Sequence, residues 1–174
     1  MKINKIILLG YMGSGKSAVG SQLNKEINVT YCDLDHYIEK QLQESIDSIF
    51  KTKGEIYFRR IESFYLSEIL NSKDRFILSL GGGTPCYSNN MELILNSEAS
   101  SIYIKAGIKT LVSRLTAEKN KRPLVAELED DKLVEFVAKH LFERRFFYEQ
   151  ASMTVNTEDK STEEITTEIR ILLY

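Results

Sequence analysis

Cysteine, proline and histidine are scarce in this 174-residue chain, with two of each. Cys32 and Cys86 show no metal-ligand spacing, so neither a disulfide framework nor a thiolate metal centre is expected, and both read as reduced thiols of a cytosolic protein. His36 and His140 have no ligand-spaced partners and read as structural or surface residues. Two prolines and no Gly/Ser-rich or homopolymeric stretch leave no compositional basis for wholesale disorder. Neither sign of charge dominates, since 23 Lys+Arg against 25 Asp+Glu give a net charge of -2. Non-specific nucleic-acid binding draws on surplus cation, which this balance does not offer. The apolar runs fall far short of the ~20 residues that span a bilayer. The lysine-flanked run near the N-terminus, Ile6–Leu9, is shorter than the about 7–15 residues of a secretory h-region. What remains is a single cytoplasmic domain, 1–174, long enough to bury a core without staples.

No internal repeat or linker interrupts the chain. Short β-rich runs alternate with longer helical ones. Lys5–Leu9, Thr30–Asp33, Phe76–Leu80, Ser101–Ile104 and Met153–Val155 read as strands. Lys16–Ile27, Asp35–Gln43, Ser45–Lys51, Glu55–Leu70, Ile108–Ala117, Asp131–Gln150 and Thr162–Leu173 read as helices. In Glu55–Leu70, Ile61, Phe64, Tyr65 and Ile69 are spaced for one face. The strands lack clean polar alternation, which suits strands covered on both faces. The expected fold is therefore α/β, a doubly wound parallel five-stranded sheet flanked by helices. Ligands of such folds sit at the carboxyl ends of strands, and here the glycine-rich and polar clusters all follow strands.

Gly10-Tyr11-Met12-Gly13-Ser14-Gly15-Lys16-Ser17 fits G-x-x-x-x-G-K-[ST] in full, between a strand and a helix. Glycines let backbone N–H groups turn around an anion, and the helix from Lys16 aims its N-terminal partial charge at the same point. Gly13 to Ala18 would surround the phosphates, Lys16 would bridge the outer ones, and the Ser17 hydroxyl would ligate Mg²⁺. The motif calls for a nucleoside triphosphate without choosing between kinase, GTPase and ATPase. The strings NKII, NKEI and NKRP fail the guanine-reading N-K-x-D pattern. The third strand offers no Walker-B aspartate, so the metal-side carboxylate must come from elsewhere.

Asp33 and Asp35 can supply it. Residues i and i+2 of an extended segment point to one side, which would aim both carboxylates into the crevice beside the phosphate loop. One could hold Mg²⁺ through its water and the other accept a hydroxyl proton. The plainer alternative makes Asp35 the N-cap of a helix from His36 and Asp33 a turn residue. Gly81-Gly82-Gly83 permits close backbone approach to a small ligand, or a permissive turn. Arg144 shares a helical stripe with Val137, Leu141 and Tyr148, where a guanidinium needs an anion or a cleft; Arg145 lies further from that stripe and reads as solvated. The Lys119–Arg122 run is either a solvated loop or a lid carrying a cation to a transferred phosphoryl group.

The ordered set GYMGSGKS, DLD, FRRIE, LSLGGG, RPL and RRFFY resembles the shikimate kinases over nearly the whole chain. That resemblance implies a P-loop fold like the nucleoside-monophosphate kinases, with a small substrate-binding helical insertion about 33–61 and a lid about 112–127. It implies ATP-dependent phosphorylation of shikimate to shikimate 3-phosphate with Mg²⁺, on the route to aromatic amino acids. By the same resemblance Asp33 joins Ser17 on the metal side, and Asp35 binds substrate hydroxyls and is the base. Arg59 and Arg144 clamp the shikimate carboxylate, Gly81, Gly82 and Gly83 pack on its ring, and Arg122 reaches the phosphates of the bound nucleotide. Arg114 falls near the adenine-stacking arginine of the family, whose members are usually monomeric. Ala18 stands where the family often has threonine, and Phe146 and Phe147 where it commonly has Pro and Leu. Another small metabolite kinase, such as a gluconate or nucleotide kinase, would share the phosphate loop but not the DLD, GGG and two-arginine set. A nucleotide-dependent regulatory protein would have no reason to keep Asp35 and Arg59 together.

Overall fold

The computed structural model describes residues 5–118, 123–126 and 128–173. Five strands form one all-parallel sheet: β1 (Lys5–Leu9), β2 (Tyr31–Asp33), β3 (Phe76–Ser79), β4 (Ser100–Lys105) and β5 (Met153–Asn156), in spatial order β2-β3-β1-β4-β5. The continuous apolar character of the strands follows from two cores. Ile7, Leu9, Leu78 and Tyr103 enter one, while Ile6, Leu8, Ile77 and Ile102 enter the other. Alternation is present, but both faces are dry, so it leaves no polar trace.

On one face pack α1 (Lys16–Ile27) and α8 (Thr162–Leu173), through Val19, Leu23, Ile165 and Ile169. The other face is covered by α2 (Leu34–Leu42), α3 (Ile46–Asn71), α4 (Asn90–Leu95), α5 (Ile108–Ala117) and α7 (Asp130–Tyr148). The short α6 (Pro123–Ala126) adds Val125, fully buried, to that core. No helix among the described residues is long and apolar enough to cross a membrane.

The expected α/β class, the parallel five-stranded sheet and its helical flanks are all present. Local details differ. The second helix starts at Leu34, so Asp33, not Asp35, is its N-cap, accepting from the backbone N–H of Asp35 and His36. The two expected helices Ser45–Lys51 and Glu55–Leu70 run on as α3 across a break at Gly54, where φ is 80°. Phe64, expected on the buried stripe of that segment, is exposed. The buried line instead follows Phe58, Glu62, Leu66 and Ile69, a period disguised by the carboxylate in its middle. The short helix α4 was not expected; at six residues it carries too little periodicity to read.

β1 lies between β3 and β4, and the chain leaves it toward β2 on one side and reaches β4 on the other. Strand order therefore switches at the carboxyl end of β1, where open parallel sheets bind ligands.

Candidate active site

A cavity of about 520 Å³ opens at that switch point. The loop after β1 supplies Met12 to Ser17, the end of β2 supplies Asp33 and Asp35, and the end of β3 supplies Ser79 to Gly82. Arg114, Glu118, Lys160 and Thr162 complete the far wall.

The loop between β1 and α1 bends through glycines at left-handed φ, 79° at Gly13 and 100° at Gly15. Gly15 is the N-cap of α1 and makes no side-chain cap bond, so the helix presents its first amides and its positive dipole end to the cavity. Lys16 is 8% exposed and folds back over the loop, donating Nζ to the carbonyls of Gly10 and Tyr11, both at 2.9 Å. Arg114 grips the same loop from outside, Nη1 donating to the carbonyls of Gly13 and Ser14 at 3.1 Å each. A rigid, cationic anion cradle results.

Asp33 Oδ1 is engaged by two backbone amides, at 3.1 and 3.3 Å. Both aspartates line the cavity, though not by the alternation of an extended segment, since Asp35 lies in the first turn of α2. Ser17 faces the same cavity as Asp33. One hydroxyl and one carboxylate suit Mg²⁺, which takes few protein oxygens and completes its shell with phosphate and water. Among the described residues no group of three or more His, Cys, Asp or Glu could hold a metal alone, so phosphate oxygens would have to share the ion.

Asp35 sits against the glycine loop: a Cβ on Gly81 would lie 3.2 Å from its Oδ1. Burial, then the charges of Asp33 and Glu62, push its carboxyl up to about 7, against the pull of Lys16 and Arg59. A carboxylate poised near neutrality is well suited to accept a hydroxyl proton. Gly82 shows why the loop is glycine, since a Cβ there would meet the Met12 amide at 3.1 Å. The phosphate loop and the glycine loop touch backbone to backbone.

Arg59 and Gly83 lie beyond this wall, with Arg59 Nη2 3.1 Å from where a Gly83 Cβ would be. Arg59 Nη1 donates to Glu62 Oε2 at 2.9 Å, and its guanidinium stacks 3.8 Å over the Tyr87 ring. Glu62 is 1% exposed, and its other oxygen accepts from Thr84 at 2.6 Å. Arg144 is half-buried over the Tyr11 ring, whereas Arg145 is exposed and paired with Glu149. The Cys86 thiol, pushed up to about 11 by burial, feels both Arg144 and Arg59. The two arginines thus converge from different helices on the end of the glycine loop. Tyr148 fastens that loop by donating its hydroxyl to the Gly82 carbonyl. Arg122 lies outside the described residues.

Glu62, Thr84, Tyr87, Tyr11 and Tyr148 were not anticipated as site residues. Glu62 carried one signal, a carboxylate one helical turn after Arg59; the others meet the site through contacts distant in sequence.

Comparison with known proteins gives the family. A family profile described as shikimate kinase matches residues 12–173. A shikimate kinase of Flavobacterium psychrophilum is 45% identical over 172 residues, covering 99% of this chain and 100% of the relative. The crystal structure of shikimate kinase from Bacteroides thetaiotaomicron superposes with a TM-score of 0.90 at 33% identity, covering 97% of each chain. The shikimate kinase from Acinetobacter baumannii, solved in complex with shikimate, superposes at 0.87 with 27% identity, covering 99% of this chain and 93% of that one.

Proposed function

The chain belongs to the shikimate kinase family and phosphorylates shikimate with ATP, and we propose that its residues divide the work as follows. The loop Gly13–Ala18 and Lys16 hold the triphosphate. Ser17 and Asp33 hold Mg²⁺, which when bound adds positive charge beside the phosphoryl oxygens. Arg59 and Arg144 grip the substrate carboxylate in the planar, bidentate manner open to guanidinium. Gly81, Gly82 and Gly83 give the ring a surface without side chains. Asp35, between the clamp and the phosphates, orients the reacting hydroxyl and takes its proton as the new O–P bond forms. The bond from the γ-phosphorus to its bridging oxygen breaks, and ADP leaves.

Such transfer asks mainly for positioning and charge neutralisation. Lys16 and Arg122 are the cations assigned to that neutralisation, and Arg114 is assigned to the nucleotide side. Segments about 33–61 and 112–127 are read as the substrate-binding and lid portions of the single domain. We read the protein as a cytoplasmic monomer; the free thiols Cys32 and Cys86 fit a reducing compartment.

One observation supports this reading most. Asp35 lines the cavity of the phosphate loop together with Lys16 and feels the charges of both Lys16 and Arg59, while Arg59 and Arg144 both act on Cys86 just past the glycine loop. Gluconate and nucleoside monophosphates also carry anions that guanidinium can grip, so a direct comparison of substrates separates the readings. The test is ADP release with shikimate, gluconate and nucleoside monophosphates offered separately, repeated with Lys16→Ala. Shikimate alone should support turnover, and Lys16→Ala should lower it by about a hundredfold or more. Turnover of gluconate in preference to shikimate would overturn the assignment.

A further inference from the structure

The two clamp arginines are held in different ways. Arg59 has acids on both sides, Glu62 at 2.9 Å and Glu55 at 3.3 Å, besides its stack on Tyr87. Arg144 has no carboxylate partner among the described residues; its neighbour Arg145 takes the acid of that turn, Glu149. The partners of Arg144 are the Tyr148 hydroxyl, one turn on along the same helix, and the Tyr11 ring, with Cζ 5.7 Å from the ring centroid.

We propose that Tyr11 is the positioning residue of Arg144, holding the guanidinium on an aromatic face so that its whole charge stays available to the substrate carboxylate. The proposal rests on the reading of Arg144 as a clamp residue. An acid partner would fix the guanidinium but also neutralise it, and would compete with the incoming carboxylate. A ring quadrupole attracts a cation within about 6 Å and leaves its charge intact. It also leaves the edge of the guanidinium, where the N–H fork lies, open to a planar acid.

Tyr11 is suited to this task. It occupies an x position of the G-x-x-x-x-G-K motif, where phosphate binding asks for no particular side chain. Its ring is 1% exposed. Its carbonyl is held by Lys16 Nζ at 2.9 Å and by the Ser14 amide at 3.2 Å, so the mount is stiff. Its hydroxyl is buried without a hydrogen-bond partner, so the ring face, not the phenol, is the working part. Tyr148, one turn beyond Arg144, ties the same helix to the glycine loop, which keeps Arg144 over the ring.

The experiment places phenylalanine and then its 4-fluoro, 3,5-difluoro and 3,4,5-trifluoro derivatives at position 11, changing ring charge with little change in size. Shikimate affinity is read by calorimetry and the ATP Michaelis constant by ADP release. Tyr11→Phe should bind shikimate within about twofold of the parent chain. Shikimate affinity should then fall stepwise along the series, by about 5- to 20-fold in total, with the ATP constant unmoved. Binding of the uncharged shikimate carboxamide should not follow the series. A flat series, or an equal rise in the ATP constant, overturns the proposal. Arg144→Leu separates it from its premise. If Arg144→Leu leaves shikimate binding intact, the clamp reading itself falls. If Arg144→Leu abolishes binding while the series is flat, only the role of Tyr11 falls.

Discussion

Glu62 receives Arg59 Nη1 on Oε2 at 2.9 Å. Its other oxygen takes the Thr84 hydroxyl at 2.6 Å, and the carbonyl of Thr84 accepts from Asn90 at 2.8 Å. One buried carboxylate thereby ties Arg59 on α3, the proposed clamp residue, to the turn that follows the glycine loop. Glu62→Ala strands a mostly buried guanidinium, a change that typically costs about 3–5 kcal/mol, softened here by Glu55. We expect a loss near the lower end of that range by urea denaturation. The shikimate Michaelis constant should rise about tenfold or more, with that for ATP little changed. An unaltered shikimate constant would remove Glu62 from the support of the clamp.

The Asp35 carboxyl, raised to about 7 chiefly by burial and then by Asp33 and Glu62, has a consequence for stability. A carboxyl whose folded pKa exceeds its unfolded value of about 3.9 holds more protons in the folded state. Its stabilising effect is complete below the unfolded value and disappears as pH rises through about 7. Asp35→Asn should therefore melt higher than the parent chain at pH 8 and converge with it toward pH 4, in EDTA without nucleotide. The same variant should lose turnover. A melting difference that ignores pH would contradict this account of the carboxyl, and an active variant would end its role as the base.

The phosphate loop was legible because its geometry is local: spacing, glycines and helix start all lie within Gly10–Ser17. The sheet was legible because strands such as Ile6–Leu9 are apolar throughout, a mark of burial on both faces. Asp33 and Asp35 share the cavity as expected, but through a helix cap and a first turn, a boundary shift that sequence patterns resolve poorly. The support of the clamp was illegible for a different reason. Thr84 meets Glu62 across 22 residues, and Tyr148 meets Gly82 across 66. Such pairings follow from how the helices pack on the sheet, and no periodicity encodes them.

Arg144 and Arg145 should separate cleanly on substitution. Arg145 is 60% exposed on its side chain and meets Glu149 at 3.4 Å, a surface pair worth about 0–1 kcal/mol. Arg145→Ala should leave both Michaelis constants within about twofold. On the proposed assignment, Arg144→Ala removes a charged, bidentate partner of the substrate carboxylate. It should raise the shikimate constant by about ten- to a hundredfold, with ATP affected far less. The reverse pattern in steady-state assays would transfer the clamp to Arg145.

Gly20 in α1 leaves room for the ring of Tyr31, two residues before Asp33, which we propose for the metal side. A Cβ there would lie 2.6 Å from Tyr31 Cδ2 and closer still to Cε2. Alanine is the better helix former by about 1 kcal/mol, so propensity alone predicts that Gly20→Ala stabilises. Overpacking against a ring typically costs about 1–3 kcal/mol and should prevail. We expect a net loss of about 1 kcal/mol by urea denaturation, recovered at least in part when Tyr31→Leu clears the space. Tyr31 pairs with Ile77 two residues before Asp33 pairs with Ser79, so a displaced ring also disturbs the end of β2. The single variant should therefore need more Mg²⁺ for half-maximal turnover, and the double variant less than the single. A Gly20→Ala protein as stable as the parent would mean that the ring moves aside freely and that the close fit has no bearing on the aspartate.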